Sequence, residues 1–209
     1  MKSEEDLRTE MITVARSLFA RGYSFGTSGN LSVRCGGALL VTPTGSSMEM
    51  VSAGDLAQVD VDGRLIGRAK PSKEVHFHLA IYRARADVGA VVHLHSTYAV
   101  ALSCLKGLDM EDALPVLTPY YAMCVGRLPV VEYLPPGDPR LAPEVEARAA
   151  AANAILLQNH GPITMGRDLA EAAALAEELE EQAKLFFLLG ERGRTLTAAE
   201  VRILRERFG

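Results

Sequence analysis

Val91-Val92-His93-Leu94-His95-Ser96-Thr97 is the stretch on which the reading of this chain turns. An apolar run reaches two histidines spaced i, i+2, and a short apolar helix over 97–105 is expected straight after them. In an extended strand alternate side chains share one face, so His93 and His95 point the same way. Two neutral imidazoles side by side at a strand end are half of a transition-metal site. The same pattern also describes a pair of core or surface histidines on an edge strand, because H-x-H is short. The rest of the inventory adds weight to the metal reading. The chain holds five histidines, and a third candidate, His160, lies in Gln158-Asn159-His160-Gly161-Pro162. That turn again follows an apolar strand-like run, Ala154-Ile155-Leu156-Leu157.

Composition narrows the function classes. At 209 residues the chain can bury a substantial core, and no repeat, low-complexity tract or linker divides it. One domain spanning 1–209 is the economical count. Hydrophobic residues at 48% and charged residues at 23% are ordinary for a soluble globular protein. The formal charge of 22 − 26 = −4 offers no basic patch, so nucleic acid is not an expected partner. No apolar run approaches the ~20 residues a membrane span needs, and Met1-Lys2-Ser3-Glu4-Glu5 is too acidic for a signal peptide. Cys35, Cys104 and Cys124 fit neither a disulfide framework nor a metal knuckle, which points to a reducing cytoplasm.

Upstream of the histidine strand, Leu7, Met11, Val14, Ala15, Leu18 and Phe19 form one face of a helix over 4–21, stopped before Gly22. Gly26-Thr27-Ser28-Gly29-Asn30-Leu31-Ser32-Val33-Arg34 then leads into a strand, followed by a second at Ala38-Leu39-Leu40-Val41. Gly29 permits close backbone approach to a ligand, and Ser28 and Asn30 offer donors to an anion; taken alone, a plain turn ahead of a hairpin is the favoured reading. Thr42-Pro43-Thr44-Gly45-Ser46-Ser47 repeats that chemistry, so two small-residue corners could converge on a phosphate, although neither is a Walker-type loop. Residues 55–66 read as a hairpin with its turn at Asp62-Gly63. Ser72 is the expected N-cap of a helix over 73–86, with Val75, Leu79 and Tyr82 inward. In its first turn Glu74 has an ordinary role complementing the helix dipole. His76 and His78 lie two apart on that helix, cannot share a face, and read as structural.

Downstream, Leu117-Thr118-Pro119-Tyr120-Tyr121-Ala122-Met123 reads as a strand interrupted by proline. An alanine-rich helix over 138–152 starts at an Asp138 cap with Pro139 first, and a long helix over 168–189 carries a solvated flank of Glu177, Glu178, Glu180 and Glu181. Strands alternate with helices, but several short strands and hairpins come first. An α/β fold with a mixed or antiparallel sheet and helices on its faces is expected, and without a G-x-G-x-x-G after a strand the dinucleotide-binding reading falls.

Gly29-Asn30-Leu31-Ser32, Thr42-Pro43-Thr44-Gly45, Pro71-Ser72-Lys73-Glu74, His93-Leu94-His95-Ser96 and Asn159-His160-Gly161 resemble, in order and spacing, the class II aldolase/adducin family. The resemblance covers about 4–190. It implies a three-layer α/β/α fold around a mainly antiparallel sheet. It implies a divalent metal, normally zinc with manganese or cobalt as substitutes, held by His93, His95 and His160, with Glu74 as fourth ligand or catalytic acid/base. Phosphate contacts carry over to Gly29, Asn30, Thr44, Gly45 and Ser72. A homotetramer with sites at subunit interfaces is implied as well.

One position departs from the pattern. The fuculose-phosphate aldolases place two small hydroxyl residues before the glutamate, whereas this chain has Ser72-Lys73. Lys73 therefore reads either as a contact for a second anion, such as a substrate carboxylate, or as a solvated lysine. Within the family the stretches 25–34, 71–74, 91–97 and 117–121 are most similar to 3-oxo-tetronate 4-phosphate decarboxylases. That likeness implies metal-dependent loss of CO2 from a phosphorylated sugar acid, leaving the enediolate of dihydroxyacetone phosphate. Glu74, with a raised pKa beside that enediolate, would return the proton at C2. A tyrosine of the Tyr120-Tyr121 pair, with Tyr121 favoured, would orient the substrate or act as a second acid, unless the ring only packs at an interface. Retro-aldol cleavage of a sugar phosphate would use the same ligands. A non-catalytic adducin-like interaction module is the reading of another class.

Overall fold

Seven strands and seven α-helices succeed one another among the described residues, 2–208 of the computed structural model. In order they are α1 (Glu4–Ala20), β1 (Asn30–Cys35), β2 (Ala38–Val41), β3 (Ala57–Asp60), α2 (Val75–Ala84), β4 (Ala90–His93) and α3 (Thr97–Ser103). Then follow α4 (Pro119–Cys124), β5 (Val130–Val131), α5 (Leu141–Ala149), β6 (Ala154–Leu157), β7 (Gly161–Gly166), α6 (Leu169–Leu189) and α7 (Ala198–Phe208). The strands form one sheet in the order β3-β2-β1-β4-β7-β6-β5, antiparallel throughout except for β5 against β6.

Alternation along the central strand sorts the layers. Val91 packs with α2 and α5 on one face, among Phe77, Ile81 and Val145. Ala90 and Val92 face the other side, against Met11, Ala15 and Leu18 of α1 and Ala172 and Ala176 of α6. A third cluster joins Leu102 of α3 and Tyr121 of α4 to Leu175 and Leu179 of α6, over Ala154 and Leu156 of β6. The architecture is thus the expected three-layer α/β/α arrangement around a mainly antiparallel sheet. Among the described residues no helix is long and apolar enough to cross a membrane.

Several local expectations need correction. Residues 119–124 are helix α4, not a broken strand: Thr118 Oγ1 accepts from the Tyr121 amide at 3.2 Å and Pro119 takes the first helical position. The β propensity of the two tyrosines masked a Thr-Pro helix start. Helix α5 begins at Leu141, not at Pro139: Asp138 accepts from the Arg140 amide at 2.9 Å and from its guanidinium at 2.7 Å, within a turn that precedes the helix. Helix α2 begins at Val75, so Glu74 is its N-cap residue, and Ser72 Oγ merely accepts from the Glu74 amide at 3.3 Å. Past β3 the hairpin shrinks to a single bridge, Val59 to Leu65, and Val61, Leu65 and Ile66 stay exposed with no layer to cover them. The glutamate flank of α6 is only partly solvated: Glu180 accepts from the amides of Tyr98 and Ala99 at the start of α3, both at 2.8 Å.

Gly89 sets where the central strand starts. Its amide donates to Gly166 O at 2.8 Å, and a Cβ there would stand 2.1 Å from Arg167 O, a backbone atom. Gly89→Ala must push β4 away from the turn into α6, and the expected cost is about 2–3 kcal/mol, or a fall of roughly 5–10 °C in Tm by calorimetry. An unchanged Tm would mean that this junction gives way at little cost.

Candidate metal centre

His93 ends β4 on the α2 face, its ring edge-on to Phe77 at 5.5 Å between centroids. The strand stops there, yet the alternation persists for two more residues, since Leu94 donates to Pro162 O at 3.2 Å and keeps the segment extended against β7. His93 Nε2 and His95 Nε2 come to 3.1 Å. Burial holds both imidazoles down, His93 to about 3, so both are neutral at pH 7. His93 Nδ1–H has the Pro162 carbonyl as its acceptor at 2.8 Å, which leaves Nε2 as a bare lone pair.

His160 arrives from the β6–β7 turn. Asn159 adopts φ 54°, the left-handed region that asparagine tolerates better than most residues, and its amide donates to Ser103 O at 3.0 Å. Gly161 then lies so close that a Cβ would meet Leu94 O at 2.4 Å. A glycine is required for the second histidine segment to lie on the first. The three rings end mutually steep, at 71°, 84° and 90°, with ligand atoms of all three within 4.8 Å of one another.

Glu74 closes the set. Its Oε1 is 3.2 Å from His160 Nε2 and its Oε2 3.4 Å from His93 Nε2. Donor atoms about 2.0–2.1 Å from a tetrahedral cation stand about 3.3 Å apart, so these spacings suit such an ion. Among the described residues, His160 Nδ1 is buried with no hydrogen-bond partner. Burial alone would push the Glu74 carboxyl up, but the proton it competes for with the His93 and His160 rings, and the hydrogen bonds it accepts from His160 and Asn30, outweigh burial and hold it below the usual range. The raised value expected beside an enediolate is therefore not a property of the ligand-free site, where the neighbours favour the anion. Neutral imidazoles, a nearby carboxylate and ligand-like spacing together fit a divalent metal.

A cleft of about 260 Å³ opens beside this cluster. Gly29, Asn30, Thr44, Gly45, Ser72 and Lys73 all line it, with Glu74, His95 and His160. Two of these are differently employed than expected. Gly29 (φ +77°) yields to protein, since a Cβ would sit 2.9 Å from the His93 carbonyl. The Asn30 side chain donates Nδ2 to Glu74 Oε2 at 2.7 Å and meets His78 Nε2 through Oδ1 at 2.5 Å, so its amide is committed inside the protein.

Tyr121 does not reach the cleft. Its side chain is fully buried in the third cluster, burial pushes its phenol far up, and among the described residues its hydroxyl has no hydrogen-bond partner. The assignment of Tyr121 as a second acid is withdrawn, because a ring enclosed in its own core cannot enter any site. Tyr120 is the exposed member of the pair. Sequence reasoning also undervalued His78: it is wholly buried and bonded to Asn30, while His76 is exposed. Helical spacing separated the two correctly, but nothing in it said which one faced inward.

Buried neutral histidines give the metal-free protein a pH signature. The unfolded state binds protons below the usual imidazole value of 6.5, whereas His78 in the fold waits until about 4. Stability therefore rises with pH through this window and is lost as pH falls from about 6.5 towards 4. Urea unfolding of metal-free protein at pH 5 should give a free energy lower than at pH 7 by about 2 kcal/mol from His78 alone. A flat profile over that range would mean His78 is already charged when folded.

With the geometry in place, the chain can be set against known proteins. A family model described as the class II aldolase and adducin N-terminal domain matches residues 9–187. The 3-oxo-tetronate 4-phosphate decarboxylase of Pectobacterium atrosepticum is 50% identical over 203 residues, 96% of this chain and 93% of that protein. The L-fuculose phosphate aldolase of Methanococcus maripaludis is 37% identical over 87% of this chain and 96% of its own length. The crystal structure of YgbL from Klebsiella pneumoniae superposes with a TM-score of 0.96 at 48% identity, covering 98% of this chain and all of the other.

Proposed function

Because the chain belongs to the class II aldolase and adducin family, we propose that it is a metal-dependent carbon–carbon lyase acting on a 3-oxo-tetronate 4-phosphate. The products are dihydroxyacetone phosphate and CO2, and one proton is taken up at C2. The observation that carries this reading is the meeting of His93, His95 and His160 with Glu74 at ligand-like spacings, with Glu74, His95 and His160 on the wall of a cleft of about 260 Å³. The near-half identity to relatives named for this decarboxylation favours it over retro-aldol cleavage.

His93, His95 and His160 would hold the metal, zinc by preference, with Glu74 as fourth ligand or close beside it. Bound there, it would act as a Lewis acid for the negative charge left on the substrate when CO2 departs. The chain's own groups do the rest. Ser72, Thr44 and the glycine corners at Gly29 and Gly45 anchor the phosphate and turn remote binding energy into positioning. Asn30 serves the site through Glu74. That carboxyl acquires a proton from solvent and delivers it to C2 of the enediolate. Lys73 is the one lysine or arginine among the described residues lining the cleft and meets a substrate anion there. Lys73→Met is expected to raise KM about tenfold with kcat within about twofold, as loss of uniform binding. An unchanged KM would return Lys73 to bulk solvent.

The protein works as a homotetramer in the cytoplasm in this reading. Three unpaired cysteines and exposed Tyr120, Phe187, Leu188 and Leu189 support it, and light scattering tests the assembly. The function is tested by supplying metal-loaded enzyme with both C2 epimers of 3-oxo-tetronate 4-phosphate and following CO2 and dihydroxyacetone phosphate. Release from neither epimer defeats the decarboxylase reading. A carbon–carbon bond formed from dihydroxyacetone phosphate and an aldehyde would install the aldolase instead. A protein that purifies without stoichiometric metal and turns over neither substrate set would be the interaction module.

A further inference from the structure

Glu74 is the outer end of a buried chain of hydrogen bonds that runs inward through Asn30, His78 and Ser32 to Tyr82. Its members are all buried, with His78 and Ser32 wholly inaccessible. Solvent is therefore not at hand to relieve a mispaired donor or acceptor in the middle of the chain.

The direction of every bond follows from its outer end. An ionised carboxylate only accepts, so the group 2.7 Å from Glu74 Oε2 must be the Asn30 NH2. That leaves Asn30 Oδ1 facing His78 Nε2 at 2.5 Å, and two acceptors at that distance would repel, so His78 Nε2 carries the proton. Burial holds His78 neutral, with its pKa pushed down to about 4, so Nδ1 is an acceptor and takes the Ser32 hydroxyl proton at 2.7 Å. Tyr82 completes the sequence by donating to Ser32, to Oγ at 2.9 Å or the carbonyl at 3.0 Å. The other His78 tautomer would turn the Asn30 carbonyl onto the carboxylate.

The geometry points to His78 as a positioning residue for Glu74: its Nε2–H fixes the Asn30 amide, which occupies one carboxylate oxygen and leaves the other turned towards His160. Phe77 stacks on the His78 ring at 4.8 Å and meets His93 edge-on, so one helical turn braces both sides of the centre. The role goes beyond the four metal-site residues. Its kinetic consequence rests on the lyase reading above, whereas the tautomer does not.

The test uses the full-length, metal-loaded protein. Nitrogen–proton correlation spectra of enzyme labelled at histidine and asparagine should show His78 protonated at Nε2 only, with a slowly exchanging proton and a protected Asn30 NH2. An Nδ1–H or doubly protonated ring at pH 7 overturns the proposal. His78→Gln keeps a donor near the Nε2 position, and His78→Leu removes it. With metal content equal, His78→Leu should lower kcat about 10–100-fold with KM within about twofold, and His78→Gln should recover to within about fivefold of the parent. Equal loss of thermal stability in both variants with no kcat split, or glutamine as slow as leucine, reduces His78 to a packed core residue and ends the proposal. If the parent enzyme is inert towards the phosphorylated acids, the lyase reading falls. Asn30 protection kept with glutamine and lost with leucine still supports the positioning role, and equal protection in both refutes it. If the leucine variant does not fold, the parent tautomer and the glutamine variant decide.

Discussion

His160→Ala should leave a folded protein that neither retains a divalent metal nor turns over substrate, with activity down at least about a thousandfold. The expectation comes from how this residue is held. Its segment reaches the His93–His95 pair through a left-handed Asn159 and a glycine that tolerates no Cβ, and among the described residues no further histidine or cysteine joins the cluster. Two histidines and a carboxylate remain, a set that binds metal far more weakly than the full cluster. The effect has a readout independent of catalysis. A ligand that binds only the native state at about one hundred times its Kd adds about 2.7 kcal/mol. The parent should therefore gain roughly 5–10 °C in Tm on adding zinc, and the variant almost nothing. A variant with stoichiometric metal and parental kcat would show that the cation, if any, sits elsewhere.

How much of this was legible in the chain depends on the range of the interaction concerned. The i, i+2 spacing of His93 and His95 carried their common direction into the structure although the strand ends at His93, because period-two geometry outlasts formal pairing. The layered, mainly antiparallel sheet was readable for a similar reason: short alternating strands and hairpins leave few other arrangements. Glu74 was different. Local reasoning offered only a helix dipole partner, and the metal-site role came from the family resemblance. Its actual surroundings depend on His93 and His160, which lie far along the sequence.

Errors arose where local rules competed. Thr118-Pro119 is a helix start, but Tyr120-Tyr121 argued for a strand, and the cap prevailed because Tyr121 gains a full core site on α6. Burial then removed that tyrosine from the chemistry assigned to it. At Asn30 a donor for an anion was expected, and here the side-chain amide meets one within the protein, the Glu74 carboxylate 44 residues downstream. Helical spacing told His76 from His78 without revealing which was inward. The answer lay in Asn30 and Ser32, on a neighbouring layer.

Glu74→Gln separates the two halves of the proposed reaction. The amide is nearly isosteric and can still accept from Asn30, so the fold and that contact should persist. What changes is that an amide has no proton to deliver at C2, and its NH2 would point at the imidazole cluster. General acid–base groups of this kind contribute typically 10²–10⁴-fold, and kcat should fall by about that amount. In D2O the parent should place deuterium on one face of the new hydroxymethyl carbon, because a single fixed carboxyl serves it. In the variant, residual CO2 loss should continue while solvent deuterates the enediolate without facial preference. Bond cleavage and protonation would then be the work of different groups, with the imidazole cluster serving the first and Glu74 the second. A variant that keeps single-face labelling at a parental rate would move the proton donor away from Glu74, and the low ligand-free pKa of that carboxyl would then reflect a metal ligand alone.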